Sequence, residues 1–185
     1  MRSKEEIQKE LSLVDLEIAK LCFKGQNEID YNILREKARS LREELRFSNF
    51  RKIATDYEID IFEEPHQRGV KYYHITLHDI PLEIGYIKVS YGSNCIQKFG
   101  NIGYELDPKY RGHNYTIKAL EMLVEEMLSR GLEKPTIAAK PTNIPSVKII
   151  EKFGGEKIYE SKNQFDWNVY QVDLSKKKGQ IVLKK

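Results

Sequence analysis

The sequence is poor in the residues that mark a chain for an oxidising, metal-bound or membrane setting. It has two cysteines in 185 residues, Cys22 and Cys95. They lie far apart and outside any metal-ligand spacing, so both are expected to be free thiols in a reducing compartment. Histidine is equally thin, and His74, His78 and His113 are too scattered for a metal set. They read as surface or turn residues. No apolar run approaches the ~20 residues of a membrane span, and the opening MRSKEEIQKE carries no apolar signal region. A cytoplasmic protein with no metal and no membrane segment is expected.

What is present is a mixed chain, 40% hydrophobic and 32% charged. That suffices for one ordinary domain with an appendage. The net charge of +3 is unevenly placed, because the last eleven residues, SKKKGQIVLKK, hold five lysines and no acid. Without them the body is about neutral, so a nucleic-acid partner is not favoured. The tail, 175–185, reads as a solvated or partly ordered terminus, with an anion-binding arm as the functional alternative.

Along the chain, Ser3 and Glu6 make a capping box that starts a helix. Ile7, Leu11, Val14, Ile18 and Leu21 form its stripe, and Gly25-Gln26-Asn27 interrupts it. Tyr31, Leu34, Ala38, Leu41 and Leu45 repeat the spacing. Residues 1–52 are therefore expected to form an antiparallel helical hairpin with a coiled-coil-like seam. Neither helix can bury its stripe alone, so they pair with each other, the main domain or another chain. With twelve basic and ten acidic residues interleaved, packing or homo-oligomerisation is favoured for the hairpin over nucleic-acid binding.

From Tyr57 the period changes to two. Tyr57–Phe62 reads as a strand, and Glu64–Gly69 as a turn. In the next strand Tyr73, Ile75 and Leu77 share one face, with His74, Thr76 and His78 on the other. Pro81 precedes a covered strand over Leu82–Tyr91, which Gly92-Ser93-Asn94 ends. Strand 101–106 breaks at Asp107-Pro108 and turns into a long amphipathic helix that Gly131 can close. A turn delivered onto a helix start suits an anion, such as a diphosphate, because the first N–H groups lack internal partners. A strand at Thr136–Lys140, a helix from Asn143 to Gly154-Gly155, and strands near Lys157–Glu160 and Trp167–Leu174 follow. The class is α/β (α+β), a mixed sheet with helices packed on it.

Two segments carry a resemblance over roughly residues 57–174. Gly103 to Thr116, with Tyr110-Arg111-Gly112-His113-Asn114-Tyr115 at its turn, resembles the acyl-CoA signature of the GNAT superfamily of N-acetyltransferases. Asn143-Ile144-Pro145-Ser146, followed by Glu151-Lys152-Phe153-Gly154, resembles that family's second conserved helix. The flavour is that of the ribosomal-protein N-terminal acetyltransferase branch. The resemblance implies a mostly antiparallel sheet, an acyltransferase domain at 53–174, and acetyl-CoA as co-substrate without a metal. It implies a diphosphate held by Arg111, Gly112, His113, Asn114, Tyr115 and Thr116, and a pantetheine arm along Tyr104–Leu106. Asn143 and Ser146 would meet that arm from the other side. The acceptor is an amine, on a small molecule or a protein, attacking directly.

Three departures stand out. Asn114 and Thr116 replace small residues of the phosphate loop, and asparagine tolerates positive φ better than most. Ile150 occupies the position of the family's usual acidic tyrosine, leaving Ser146 as the candidate acid. Glu105 on the signature strand, with Glu83 on the preceding strand as the alternative, is the candidate base, and Tyr72, Tyr73, Tyr86 and Tyr91 are candidates for lining an acceptor cleft. Finally, the helices that usually wall the acceptor site are missing after the first strand, and a hairpin precedes the domain instead. Two other readings stay open: a non-catalytic acyl-CoA sensor, and an interaction scaffold assembled through the hairpin.

Overall fold

The computed structural model describes residues 2–24, 28–65, 69–78, 80, 82–92, 100–162 and 166–182. The expected interruption at 25–27, most of the turn after Glu64, Pro81, the turn residues Ser93 and Asn94, and Cys95 lie outside them. Among the described residues no helix is long and apolar enough to cross a membrane.

The hairpin forms from two helices, α1 (Lys4–Lys24) and α2 (Glu28–Phe47). Its start is the expected reciprocal cap: Glu6 N–H donates to Ser3 Oγ at 3.2 Å, and Ser3 N–H to Glu6 Oε2 at 2.8 Å. Ile7, Leu11, Val14, Ala38 and Leu41 make a buried seam of their own. Phe47 joins this unit to the sheet, 1% exposed, with its ring 5.2 Å from that of Phe62 and 6.1 Å from that of His74.

The sheet follows as β1 (Arg51–Thr55), β2 (Ile59–Glu63), β3 (Val70–Leu77), β4 (Glu83–Ser90) and β5 (Ile102–Leu106). Next come α3 (Tyr115–Met122), α4 (Val124–Ser129), β6 (Thr136–Ala139) and α5 (Ile144–Lys152). β7 (Gly155–Tyr159), β8 (Asn168–Val172) and α6 (Leu174–Val182) complete the described chain. The spatial order is β1-β2-β3-β4-β5-β6-β8-β7, antiparallel except where β5 meets β6. Ile59, Ile61, Tyr73, Ile75, Ile84 and Ile87 meet Ile117, Leu120, Leu123 and Met127 in the main core. Alternation sends Phe62 and His74 to the opposite face. The hairpin base docks there.

Four features differ from the sequence reading. β1 was not anticipated; it starts at Arg51, just ahead of residue 53, and its residues are exposed or half-exposed. The expected single helix before Gly131 divides at Leu123, although Met127 N–H still reaches Leu123 O at 2.9 Å. Gly131 closes it as a Schellman turn, with Leu132 N–H on Met127 O at 3.0 Å. The described part of the basic tail forms a helix that is anchored at Leu174 and Lys177, while its other residues through Gln180 are exposed, as expected of a terminus. Leu174 is fully buried in it, and Lys177 is held by Glu121 at 3.1 Å while lying over the Phe153 ring. His74 is not a surface residue either. It is 5% exposed, with Nδ1 2.8 Å from Glu83 and Phe50 packed on its ring.

Candidate functional site

The site is built on β5, because that strand loses its neighbour. Its pairing with β6 consists of Ile102 with Ile137, next to a bridge from Gly100. On the other edge, Ser90 N–H donates to Asn101 O and Asp107 N–H to Ile84 O, each at 2.8 Å. Antiparallel alternation then turns the odd residues of β5 toward β4 for hydrogen bonding. The N–H groups of Tyr104 and Leu106 face the gap that β6 leaves.

A groove of about 600 Å³ occupies that gap, lined by Tyr104, Leu106, Arg111, Gly112, Asn114, Tyr115, Thr116, Asn143 and Ser146. All the residues expected to hold the cofactor are gathered there except His113, whose ring stacks on that of Tyr115 at 5.5 Å. At the groove's end Asn114 adopts φ 62°, the one positive-φ residue other than glycine among the described residues. That left-handed turn is what asparagine tolerates, and it opens α3. The first helical bond is Lys118 N–H to Asn114 O, so the N–H groups of Tyr115, Thr116 and Ile117 have no helical partner. Arg111 is fixed by its Nε donating to Leu106 O at 3.2 Å, and Lys152 by Nζ donating to Asn114 Oδ1 at 3.1 Å. Arg111, Lys148 and Lys152 therefore surround a helix start. This arrangement fits a diphosphate. Lys148 was not singled out from sequence, and Lys152 only as part of the closing motif of its helix. Their spacing of four on α5 was the available signal.

Across the groove, Asn143 caps α5, its Oδ1 accepting from Ser146 N–H at 3.3 Å. The Ser146 hydroxyl is free of that cap and lies 2.7 Å from the Tyr104 hydroxyl. Burial pushes the Tyr104 hydroxyl above the ordinary phenol value, and the Ser146 bond pulls it partly back. Tyr104 is thus a protonated donor at neutral pH. Ile150 is fully buried in the core and offers the groove nothing.

A second cavity of about 410 Å³ lies on the other side of β5, lined by Glu83, Gly85, Tyr86, Glu105, Asp107, Arg39 and Glu43. The structure does not put Ser146 and Glu105 in one pocket: Ser146 lines the groove and Glu105 this cleft. Gly85 allows the close approach here, since a Cβ on it would stand 2.3 Å from Glu105 O. Tyr86 OH donates to Glu105 Oε2 at 3.0 Å, a bond that, with burial, raises the phenol. Glu83, which also lines the cleft, is bonded to His74 and to Arg46, whose guanidinium donates at 2.6 Å. Of the four tyrosines considered for this cleft, Tyr86 lines it. Tyr72 packs against Tyr86 at 5.6 Å between ring centres, while Tyr73 and Tyr91 share a 2.7 Å hydroxyl contact elsewhere. Arg39 and Glu43 come from α2, so the hairpin supplies a wall of the cleft. The sequence left that undecided.

No curated protein matches the sequence. Several solved structures are similar. A ribosomal L7/L12 α-N-protein acetyltransferase aligns with TM-score 0.51 at 13% identity, over 67% of this chain and 94% of that one. Mutant forms of a spermidine/spermine N-acetyltransferase from Vibrio cholerae give 0.50 at 13%, over 62% and 73%. The ribosomal-protein-S5-alanine acetyltransferase from Vibrio fischeri gives 0.49 at 21%, over 57% of this chain and 62% of that chain's length. At such identities the likeness concerns the fold alone. The family model described as an acetyltransferase (GNAT) domain matches residues 32–156, more than half of the chain. With that match laid over the splayed strand, the phosphate turn and the capped helix behind it, the chain belongs to the GNAT acetyltransferase family.

Proposed function

We propose that the protein transfers an acetyl group from acetyl-CoA to a primary amine by direct attack, with residues 53–174 as the acyltransferase unit. The observation that carries this is β5 itself, with unopposed N–H groups on a basic groove to one side and carboxylates on a cleft to the other. Acetyl-CoA would supply an activated thioester. The N–H groups at the start of α3, with Arg111, Lys148 and Lys152, hold its diphosphate. Tyr104 and Leu106 offer the arm strand-like hydrogen bonds, and Asn143 meets it from α5. The Leu106 N–H polarises the reacting carbonyl. Glu105 takes the proton from the attacking amine, directly or through water. The new C–N bond forms as the C–S bond breaks, and Ser146, backed by Tyr104, protonates the leaving thiolate.

The burial of Ile150 also favours a second reading, an acyl-CoA sensor without turnover. Two measurements decide. Acetyl-CoA at about a hundred times its dissociation constant should stabilise the protein by about 2.7 kcal/mol in thermal melts; no shift at millimolar ligand removes both readings. Thiol release across a panel of amines then separates enzyme from sensor.

A further inference from the structure

Two cavities meet at one side chain. Arg39 lines both the cleft beside Glu105 and a second groove of about 630 Å³ on the hairpin. That groove also carries Arg35 and Arg42, with Tyr31 and Ile18 between the helices, so its three arginines face two lining carboxylates, Asp15 and Glu36. With Arg46 these arginines are spaced four, three and four residues apart on α2. At 3.6 residues per turn that confines them to an arc of about 60°. Arg46 stands at the sheet, on Glu83, and the others lead away from it along one helix face.

Their carboxylate partners are few. Arg42 meets Asp15 at 2.7 Å, and Arg39 has Glu36 at 3.9 Å, the two side chains 70% and 75% exposed. Arg35 lies over the Tyr31 ring at 5.6 Å with no ion pair among the described residues. Pairs this exposed contribute little, so the guanidinium forks remain open to an incoming carboxylate. The cleft at the end of the stripe has the opposite character, with Glu43, Glu83, Glu105 and Asp107. A polyamine suits the cleft but is repelled along the groove. Nucleic acid suits the groove but offers no aliphatic amine to the cleft. A ligand satisfying both has an amine at one end and anionic groups along its body.

We infer that the acceptor is an acidic polypeptide segment, its free amine entering the cleft and its carboxylates lying along Arg35, Arg39 and Arg42. This rests on the amine acyltransfer reading above and specifies its acceptor. Arg35 to Arg42 spans about 10 Å of helix at 1.5 Å per residue, the reach of three or four extended peptide residues. The groove therefore reads a short acidic run, not a single charge.

The test compares two peptides of equal length and identical first residue, one continuing in glutamates and one in serines, with spermidine as a third acceptor. The KM of the glutamate peptide should be roughly tenfold lower than that of the serine peptide, the gap closing as salt rises. Arg35→Gln and Arg39→Gln, which keep helix propensity, should each erase much of the gap; circular dichroism verifies their fold. Anisotropy of the glutamate peptide labelled at its C-terminus reads binding without chemistry. Equal KM values, a preference for spermidine, or tighter binding of a single-stranded oligonucleotide overturns the inference. A coenzyme A thermal shift with no preference for the glutamate peptide sinks this inference alone. Peptide binding without that shift sinks the acyl-transfer reading instead.

Discussion

The groove and the cleft share β5 as a common wall, yet they are made in different ways. The groove is assembled largely from one stretch, Tyr104 to Ile117, closed by α5 from its cap at Asn143 to Lys152. Much of its binding capacity is backbone, N–H groups set free where β6 departs and where α3 begins. The cleft gathers side chains from α2, β4 and β5, segments about 40 and 20 residues apart in the chain. A backbone site recognises a constant ligand. A side-chain site can change its ligand by a few substitutions, and that is the division a transferase with one donor and a particular acceptor requires.

The sharpest way to break this division is to remove the proposed proton carriers on each side. Ser146→Ala should lower kcat by about a hundredfold or more, the usual contribution of a general acid, while leaving the coenzyme A thermal shift intact. Glu105→Gln should cost a similar factor. If Ser146→Ala instead abolishes the shift, that hydroxyl belongs to binding and not to proton transfer. A smaller effect is expected from Lys152→Ala, which strips one charged donor from the phosphate turn. Calorimetric titration should show coenzyme A bound roughly tenfold more weakly. Unchanged affinity would leave the turn to its N–H groups and Arg111.

The smallest effect concerns the joint between hairpin and cleft. Burial raises the Glu83 carboxyl, but the His74 and Arg46 bonds outweigh it and hold it below its ordinary 4.5. A carboxylate whose folded value is depressed stabilises the fold above its ordinary value, and that stability is lost as pH falls through the folded one. Melting temperature should therefore drop below about pH 4.5, with a shallower drop in Glu83→Gln. Parallel acid limbs in the two proteins would show that the joint does not titrate.

The same contrast explains what could be read from the sequence. The strand, turn and helix from Asn101 to Gly131 were legible because their signals are local: alternation, a Pro break, an asparagine able to turn left-handed. The Ser3–Glu6 cap was legible for the same reason. β1 was not, since a short edge strand with half-exposed residues has no clean alternation. The division at Leu123 was hidden because Leu120, Leu123, Val124 and Met127 continue one helical stripe through it. The helical form of α6 and the burial of Lys177 were not legible, while Lys176 and Lys178 are exposed as their charge suggests. Lys177 is buried through Glu121 and Phe153, both far back in the chain. The burial of His74 and the walling of the cleft by Arg39 and Glu43 likewise depend on the hairpin docking.

The alternation along β5 also limits how this family member can vary. Tyr104 and Leu106 look into one cavity and Glu105 and Asp107 into the other. Inserting or deleting a single residue within the strand would exchange the two sets, turning the carboxylates toward the basic groove and Tyr104 and Leu106 toward the acidic cleft. On its C-terminal side, length changes can be absorbed only after Asp107, where the chain leaves the sheet. The strand is a reading frame, and the two cavities keep their linings in only one phase of it.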